Sequence, residues 1–295
     1  MEYYSLNKYL KEKFEGKVYK IALDGGFTCP NRDGKAGVGG CIFCSAEGSG
    51  NFAGNRNKSI KEQLDAGIEK IRSKLPKEGP HKFIAYFQAF TNTYGEIAYL
   101  KKIYEEALFD ERVVALSIAT RPDCLPDEVI FLLDELNKIK PVWIELGLQT
   151  INPDTAMYIR RGYELSVYDD AVKRLLDKNI YVITHVILGL PGESQKDMVR
   201  TCKHVADSGV KGIKLQLLHV LKNTDLCKDY EAGKFQVMTL DEYIDTVIAC
   251  LKVLPKDMVV HRITGDGDKK ELVAPLWSAD KKHVLNTMNK RIKNA

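Results

Sequence analysis

Short apolar segments alternate with longer amphipathic segments along almost the whole chain, and this alternation limits the possible folds more than any other feature. Brief apolar runs predict strands, and segments with apolar residues every three or four positions predict helices. The predicted strands are 17–23, 82–88, 113–119, 142–148, 180–188, 212–218 and 258–263. The predicted helices are 3–14, 59–74, 95–108, 126–138, 167–177, 195–208 and 241–251. Apolar strands separated by helices predict an α/β protein with a parallel sheet.

The strand–helix unit repeats without a linker-like change of composition, so we expect one domain over residues 1–295. A partial or full (βα) barrel is the expected architecture, and a doubly wound open sheet is the alternative. In both, functional groups lie at the carboxyl ends of the strands. Polar or glycine-rich residues collect on or after the predicted strands: Gln88, Thr91, Arg121, Glu145, Gln149, His185, Gly189, Gly192, Lys214, Gln216, His219, His261 and Arg262.

Three of the seven cysteines, Cys29, Cys41 and Cys44, lie in a loop of about residues 24–54 that follows the first predicted strand. Nine of the 22 glycines fall in this loop, which suits a backbone that wraps closely around a ligand. The short spacing of the last two cysteines lets both sulfurs face one ion or cluster. A structural zinc site is the alternative, but zinc normally takes four protein ligands, and a fourth cysteine or a histidine is missing nearby in sequence. Three thiolates suit a 4Fe–4S cluster with one open iron.

The remaining cysteines, Cys124, Cys202, Cys227 and Cys250, are scattered on or beside predicted helices and are expected to be small buried hydrophobes. Hydrophobic residues make up 44% and charged residues 28% of the chain, as in soluble globular proteins. The apolar runs are shorter than the ~20 residues of a membrane span, and the N-terminus does not resemble a secretory signal. We therefore expect no membrane association and a cytoplasmic location, where clustered cysteines are more often metal ligands than disulfide partners.

The net charge of +4 is too small to indicate a nucleic-acid partner, but its distribution is uneven. After Asp280, over about residues 280–295, the chain carries only basic charges, at Lys281, Lys282, Lys290, Arg291 and Lys293. Such a tail can contact phosphates. A solvated terminal helix is an equally good interpretation.

The segment Cys41-Ile-Phe-Cys44 resembles the cluster loop of the radical S-adenosylmethionine superfamily, in which an aromatic residue precedes the last cysteine. The eleven residues between Cys29 and Cys41 exceed the usual three. Wider spacings occur in the branch that includes the catalytic subunit of Elongator, and the YtqA/YhcC-like group is the most similar. Segments 120–123, 144–150, 161–163 and 187–193 resemble barrel segments shared with Elongator and coproporphyrinogen dehydrogenase-type enzymes.

This resemblance implies a radical enzyme, a transferase or oxidoreductase, that uses a 4Fe–4S cluster held by Cys29, Cys41 and Cys44 together with S-adenosylmethionine. The cofactor contacts that it implies are Phe43 near adenine, Gln88 and Thr91 near the methionyl amino group, Glu145 and Gln149 at the ribose or substrate, Arg161 at the carboxylate, and the backbone of Gly189 and Gly192 near adenine. Because a buried carboxylate is costly unless paired, Glu145 should point into the barrel at a hydroxyl or a cation. His185, Lys214, His219 and His261 remain candidates for substrate or proton handling, without an assigned acid or base.

The resemblance further implies tRNA as the partner, with the C5 side chain of the wobble uridine as target, and an electron donor such as flavodoxin or ferredoxin. A radical enzyme acting on a small molecule such as a tetrapyrrole, or on a peptide, is the first alternative. A non-catalytic metal-cluster or zinc protein that binds RNA is the second.

Overall fold

The computed structural model describes residues 1–46, 48, 53–77, 79–265 and 267–295. Part of the predicted loop 24–54, and residue 266 after the last predicted strand, therefore lie outside the described residues. The ten α-helices of the described part are α1 (Leu6–Phe14), α2 (Ile60–Lys70), α3 (Ile97–Leu108), α4 (Asp127–Asn137), α5 (Pro153–Tyr158), α6 (Leu165–Asp177), α7 (Gln195–Asp207), α8 (Asp225–Glu231), α9 (Leu240–Lys252) and α10 (Lys281–Asn294).

Seven parallel strands form one sheet in the same order as they occur in the sequence. They are β1 (Val18–Leu23), β2 (Lys82–Phe87), β3 (Val113–Thr120), β4 (Val142–Gln149), β5 (Tyr181–Leu188), β6 (Gly212–Leu217) and β8 (Val259–Arg262). A small antiparallel pair joins β7 (Val220–Leu221) to β9 (Leu272–Ala274). A doubly wound sheet reverses its strand order at one point, whereas this order never reverses. The sheet is a curled half-barrel, which confirms the predicted partial barrel.

The longer helices that connect the strands, α2, α3, α4, α6, α7 and α9, pack on the outer side of the sheet. Right-handed crossovers between sequential parallel strands place these helices on one face. Three of them, α2, α7 and α9, begin with a capping box in which a serine or threonine and an acidic residue exchange hydrogen bonds with the backbone. Their apolar faces and the outer faces of the strands form the main core, which includes Phe83, Leu116 and Leu175.

The amino-terminal end of the barrel interior is closed by α1. Leu10 of this helix packs against Ile84, Trp143 and Ile183, which point inward from three strands. The backbone before α1 adds to the edge of β8, because the Val260 amide donates to the Tyr4 carbonyl at 2.8 Å. The carboxyl ends of the strands are therefore the end from which a ligand can enter.

The basic tail folds as α10 and docks on α9. Val284, Met288 and Ile292 are buried, and Arg291 pairs with Asp241 at 2.5 Å and also with Asp245. The segment is therefore a terminal helix with Arg291 engaged within the fold, and its contact with phosphates stays a prediction. Among the described helices, none has both the length and the apolar character needed to cross a lipid bilayer.

Candidate functional site

A cavity of about 570 Å³ opens at the carboxyl ends of the strands, within the ~300–1,000 Å³ range typical of small-molecule sites. It brings together most of the side chains singled out from the sequence. The predicted residues that line it are Cys29, Cys41, Phe43, Cys44, Gln88, Thr91, Glu145, Gln149, Arg161, His185, Lys214, His219 and His261. The polar strand ends therefore do converge on one site.

The loop that carries the cysteines is held by two short helices, α5 and α8. The Ile42 amide donates to the Ile159 carbonyl at 3.3 Å, and the Leu226 amide donates to the Ile42 carbonyl at 2.9 Å. All three side chains are buried in one apolar cluster. These two hydrogen bonds fix the backbone of Ile42, which lies between Cys41 and Cys44, and so position both sulfurs on the cavity wall. Sequence periodicity missed α5 and α8, because each has fewer than eight residues.

Cations and hydrogen-bond donors surround the thiols. The pKa of Cys41 is lowered to about 7 by the Cys44 thiol and by Arg121, Asn31 and Arg32, against the effect of burial. The same thiol pair, together with burial, raises the pKa of Cys44 well above its usual value. Asn31 Nδ2 lies 3.5 Å from the Cys41 sulfur. Thiolates are the form that binds metals, so the surroundings of Cys41 favour ligation. In the described ranges, no three Cys, His, Asp or Glu side chains converge as ligands of a single metal ion.

Arg121 and Arg161 fix the loops beside the cysteines. Arg161 is 4% exposed and donates to the carbonyls of Leu148 (3.2 Å), Thr150 (2.6 Å) and Tyr163 (2.9 Å). Arg121 pairs with Asp123 and donates to the Arg161 carbonyl at 2.8 Å. The Tyr163 ring lies 4.6 Å from the Arg161 guanidinium and 5.0 Å from that of Arg121. The structure thus gives Arg161 a positioning role, and its predicted contact with a carboxylate stays a prediction.

Gln149 carries two signs of a functional position. Its φ of +68° is unusual for a residue with a side chain, and such strain concentrates at binding sites. Its Oε1 is buried without a hydrogen-bond partner among the described residues, although it lines the cavity. An unpaired acceptor of this kind is satisfied when a ligand donates to it. Neither sign is visible in sequence.

Gly189 and Gly192 form the turn after β5, with φ of +89° and +83°. They do not belong to the cavity wall, which at this strand end is formed by Ile187. The Gly189 amide donates to Met198 Sδ at 3.1 Å, and Met238 occupies the space beside it. The turn thus packs toward the outer layer, and the expected approach of both glycines to adenine stays a prediction.

Glu145 lies at the centre of a buried charged network. Its Oε1 accepts from Lys20 Nζ and from Ser117 Oγ, each at 2.6 Å. Its Oε2 contacts His185 Nε2 at 2.8 Å and is also bound by Lys214. Burial opposes ionisation of Glu145, but Lys20 and Lys214 hold its pKa well below the usual range. The carboxylate therefore points inward at cations and a hydroxyl, as its place in an apolar strand required.

The two bases beside Glu145 are shifted toward their neutral forms. Burial lowers the pKa of Lys214 to about 7, although Glu145 opposes this shift. Burial and Lys214 lower the pKa of His185 to about 4, again against Glu145. His185 is therefore neutral at pH 7 and donates from Nε2. Lys20 and Tyr86, which complete the network, were not recognised from sequence; the only available signal was a lysine on the inward face of an apolar strand.

Lys214 should make stability depend on pH. Between about pH 7 and pH 10, the unfolded chain holds a proton at this lysine that the folded protein has lost. The free energy of unfolding should therefore rise with pH across this window, and Lys214→Met should remove the contribution. Urea unfolding at a series of pH values measures the difference between the two proteins. Lys211→Met, at an exposed lysine paired with Asp257, is the control. Parallel curves of unfolding free energy against pH for wild type and Lys214→Met would contradict the lowered pKa of Lys214.

Family models match almost the whole chain. Residues 29–205 match the Radical SAM superfamily, and residues 210–294 match the radical SAM C-terminal domain. The protein YtqA of Bacillus subtilis (strain 168) is 47% identical over 292 residues, which are 99% of this chain and 90% of YtqA.

Two further matches are more distant. A tRNA uridine(34) acetyltransferase of Methanocaldococcus jannaschii is 28% identical over 169 residues, which are 56% of this chain and 30% of that protein. The solved structure of archaeal Methanocaldococcus infernus Elp3 with an N-terminal deletion has a TM-score of 0.68 and 21% identity. It covers 93% of this chain and 63% of the Elp3 chain, and at this identity the likeness supports the fold alone.

Proposed function

The chain belongs to the Radical SAM superfamily, and from this premise we propose that it modifies tRNA at the C5 side chain of the wobble uridine. The predicted Elongator-like branch and YtqA-like group are confirmed by the matches above. The protein is a radical SAM enzyme, and its cofactors are a 4Fe–4S cluster and S-adenosylmethionine. When bound, they supply a 5′-deoxyadenosyl radical, formed with methionine by one-electron cleavage, that abstracts a hydrogen atom from substrate.

The residues present fit these cofactors. Three thiols line one cavity beside Arg32 and Arg121, and thiolates are the usual ligands of 4Fe–4S clusters. We propose Cys29, Cys41 and Cys44 as the cluster ligands. The matched region of the family model begins at Cys29, in agreement with this assignment.

The proposed contacts to S-adenosylmethionine surround the same cavity. Phe43 packs beside the cofactor and, with Ile187 and Leu218, forms an apolar wall that keeps water from a radical. Gln88, Thr91 and Gln149 offer polar groups at the strand ends, and Arg161 holds the loop that carries Tyr163. An electron donor such as flavodoxin or ferredoxin supplies the electron.

The observation that carries the tRNA proposal is the match to a tRNA uridine(34) acetyltransferase, which includes over half of this chain. Because the match includes only 30% of that protein, it does not support acetyl transfer by this chain. The shared region supports radical chemistry on the same nucleoside, the wobble uridine of tRNA.

Comparing nucleosides from the tRNA of cells with and without the gene tests the proposal. We expect the deletion strain to accumulate an altered wobble uridine, detected by liquid chromatography and mass spectrometry, and a gene copy with Cys41→Ala to leave the change uncorrected. Identical nucleoside profiles in the two strains would remove tRNA as the substrate and favour a small molecule, such as a tetrapyrrole, or a peptide.

The exposed lysines of α10 should contribute to tRNA binding. Lys282, Lys290 and Lys293 are exposed, whereas Arg291 is engaged by α9. Replacing the three lysines by glutamine should weaken binding and reduce the salt dependence of the affinity by about two to three charge equivalents. A filter-binding titration over several salt concentrations measures both effects.

The control for this experiment is a triple variant with the same charge change on the outer helices, Lys70→Gln, Lys101→Gln and Lys173→Gln, at exposed positions. Equal salt dependence in the α10 variant and the control would show that α10 does not contact tRNA.

A further inference from the structure

The side chains inside the barrel form successive layers, because inward-pointing residues recur at every second position of a strand. The deepest layer is apolar and contains Ile84, Ala115, Trp143 and Ile183. Two positions further along the strands lie Lys20, Tyr86, Ser117, Glu145, His185 and Lys214, which we call the charged floor. The next layer contains Ala22, Gln88, Ala119, Gly147, Ile187 and Gln216. The charged floor therefore closes the cavity from below.

Below about pH 7, the charged floor contains more positive than negative charge. Glu145 is its one carboxylate, and both Lys20 and Lys214 bind it. Arg262 also lines the cavity, and in the sheet it lies opposite Lys214 in register. Burial of an ammonium group without a matching anion is costly. Below about pH 7, where Lys214 is protonated, an anion that enters the cavity would thus meet two ammonium groups that share a single counter-ion.

Both lysines have donor capacity beyond their hydrogen bonds within the charged floor, and both ammonium groups also lie over the Tyr86 ring. Lys214 Nζ donates to Glu145 and, at 3.3 Å, to Tyr86 Oη; Lys20 Nζ donates to Glu145 and, at 3.3 Å, to Ser117 Oγ. Each ammonium has three protons, so one remains for a ligand. Their side chains are 8% and 20% exposed, and both line the cavity wall.

The space above the charged floor admits a terminal group. Ala22, Ala119 and Gly147 have small or no side chains, which leaves room in the layer between the floor and the strand ends. A phosphodiester carries a nucleotide on both sides and does not fit the closed lower end of a barrel, whereas a carboxylate at the end of a side chain does. Glu145 lies four residues below Gln149, roughly 13 Å along an extended strand. The floor therefore lies well below the strand end at which Gln149 is proposed to contact the cofactor.

We propose that the charged floor is a carboxylate-binding subsite that receives an acidic group carried by the substrate or by a small co-substrate. This inference rests on the proposed function only in taking the cavity as the place where substrate reacts. The two lysines bind the carboxylate by charge-assisted hydrogen bonds, and Glu145 keeps them in position.

Titration of the anaerobically reconstituted protein with ¹³C-labelled acetate, followed by NMR below pH 7 at constant ionic strength, tests the subsite. We expect saturable binding of acetate and none of acetamide, its neutral isostere. Lys214→Met and Lys20→Met should each weaken binding by about tenfold or more. Glu145→Gln should instead tighten it, because the competing negative charge is removed while the amide still forms hydrogen bonds. Lys211→Met is the control, and thermal melts verify that each variant is folded.

A purely structural network predicts a different outcome, in which every variant loses stability and wild type shows no saturable acetate binding; that result overturns the subsite. A second arm measures the affinity for S-adenosylmethionine. If Lys214→Met loses that affinity and keeps acetate binding, the lysine serves the cofactor, and the proposal is likewise overturned.

The nucleosides of the deletion strain separate the two sources of the carboxylate. An accumulated uridine derivative with an acidic side chain assigns the carboxylate to the substrate, and a neutral one assigns it to a co-substrate. Unchanged nucleosides would refute tRNA as the substrate, but they would not affect the result of the acetate titration. The tRNA proposal and the carboxylate subsite can therefore be refuted independently of each other.

Discussion

Replacing Cys41 with alanine is expected to abolish cluster assembly and, with it, all radical production. Cys41 is the cysteine whose surroundings most favour the thiolate, and it lies on the cavity wall with Cys29 and Cys44. With only two of the three thiolates left, a 4Fe–4S cluster lacks a ligand that its assembly requires. After anaerobic reconstitution, iron and sulfide should fall to background. Addition of dithionite and S-adenosylmethionine should then yield no 5′-deoxyadenosine, and the same is expected for Cys29→Ala and Cys44→Ala.

Cys227→Ala is the matched control. This cysteine is buried in the apolar cluster beside the loop, but it does not line the cavity. The control should keep wild-type iron content and 5′-deoxyadenosine formation, with only a small loss of thermal stability. A colourless wild-type protein that binds one zinc ion would contradict the cluster assignment and favour the non-catalytic alternative.

The strands and the functional face were predictable because burial on both sides leaves a clear signal in the sequence. β4 was expected at 142–148 and is observed at Val142–Gln149, since both of its faces are apolar apart from Glu145 and the terminal Gln149. Once the strands are parallel, their carboxyl ends must share one edge, so the cysteines and the polar strand ends had to converge. The cavity confirms that convergence.

The side chains that pair with one another within the site were not predictable, because their pairing depends on the register between strands that are distant in sequence. Glu145 was expected to need a cation, but Lys20 and Lys214 lie 125 and 69 residues away from it. Only the pairing of six strands brings these three side chains together. Arg291 shows the same limit at the surface: the sequence places it in a basic tail, while the fold pairs it with Asp241 and Asp245.

The residues that hold the cysteine loop were missed for a different reason. α5 and α8 are too short to show a helical period, and their contribution is made through backbone hydrogen bonds to Ile42. Main-chain contacts of this kind leave little mark on side-chain patterns. The positive φ of Gln149 is likewise invisible in sequence, since most residues with this conformation are glycines.

Glu145→Leu is expected to cause the largest loss of stability of any single substitution at the site. Glu145 is 1% exposed, and its removal leaves Lys20 and Lys214 without their shared counter-ion. Breaking a buried ion pair from one side costs about 3–5 kcal/mol of unfolding free energy. Urea unfolding at pH 7 measures the loss, and Glu135→Leu, which breaks a largely exposed pair with Lys138, should have a much smaller effect on the unfolding free energy.

The double variant Glu145→Leu/Lys214→Met decides whether charge is the cause of this loss. Removing both partners leaves one ammonium, that of Lys20, which is the more exposed of the two lysines. Replacing a buried pair by apolar groups is often nearly neutral, so the double variant should be more stable than Glu145→Leu alone. If the loss of stability in the double variant instead equals the sum of the losses in Glu145→Leu and Lys214→Met, Glu145 stabilises the barrel through packing. The charged floor would then lose its electrostatic basis.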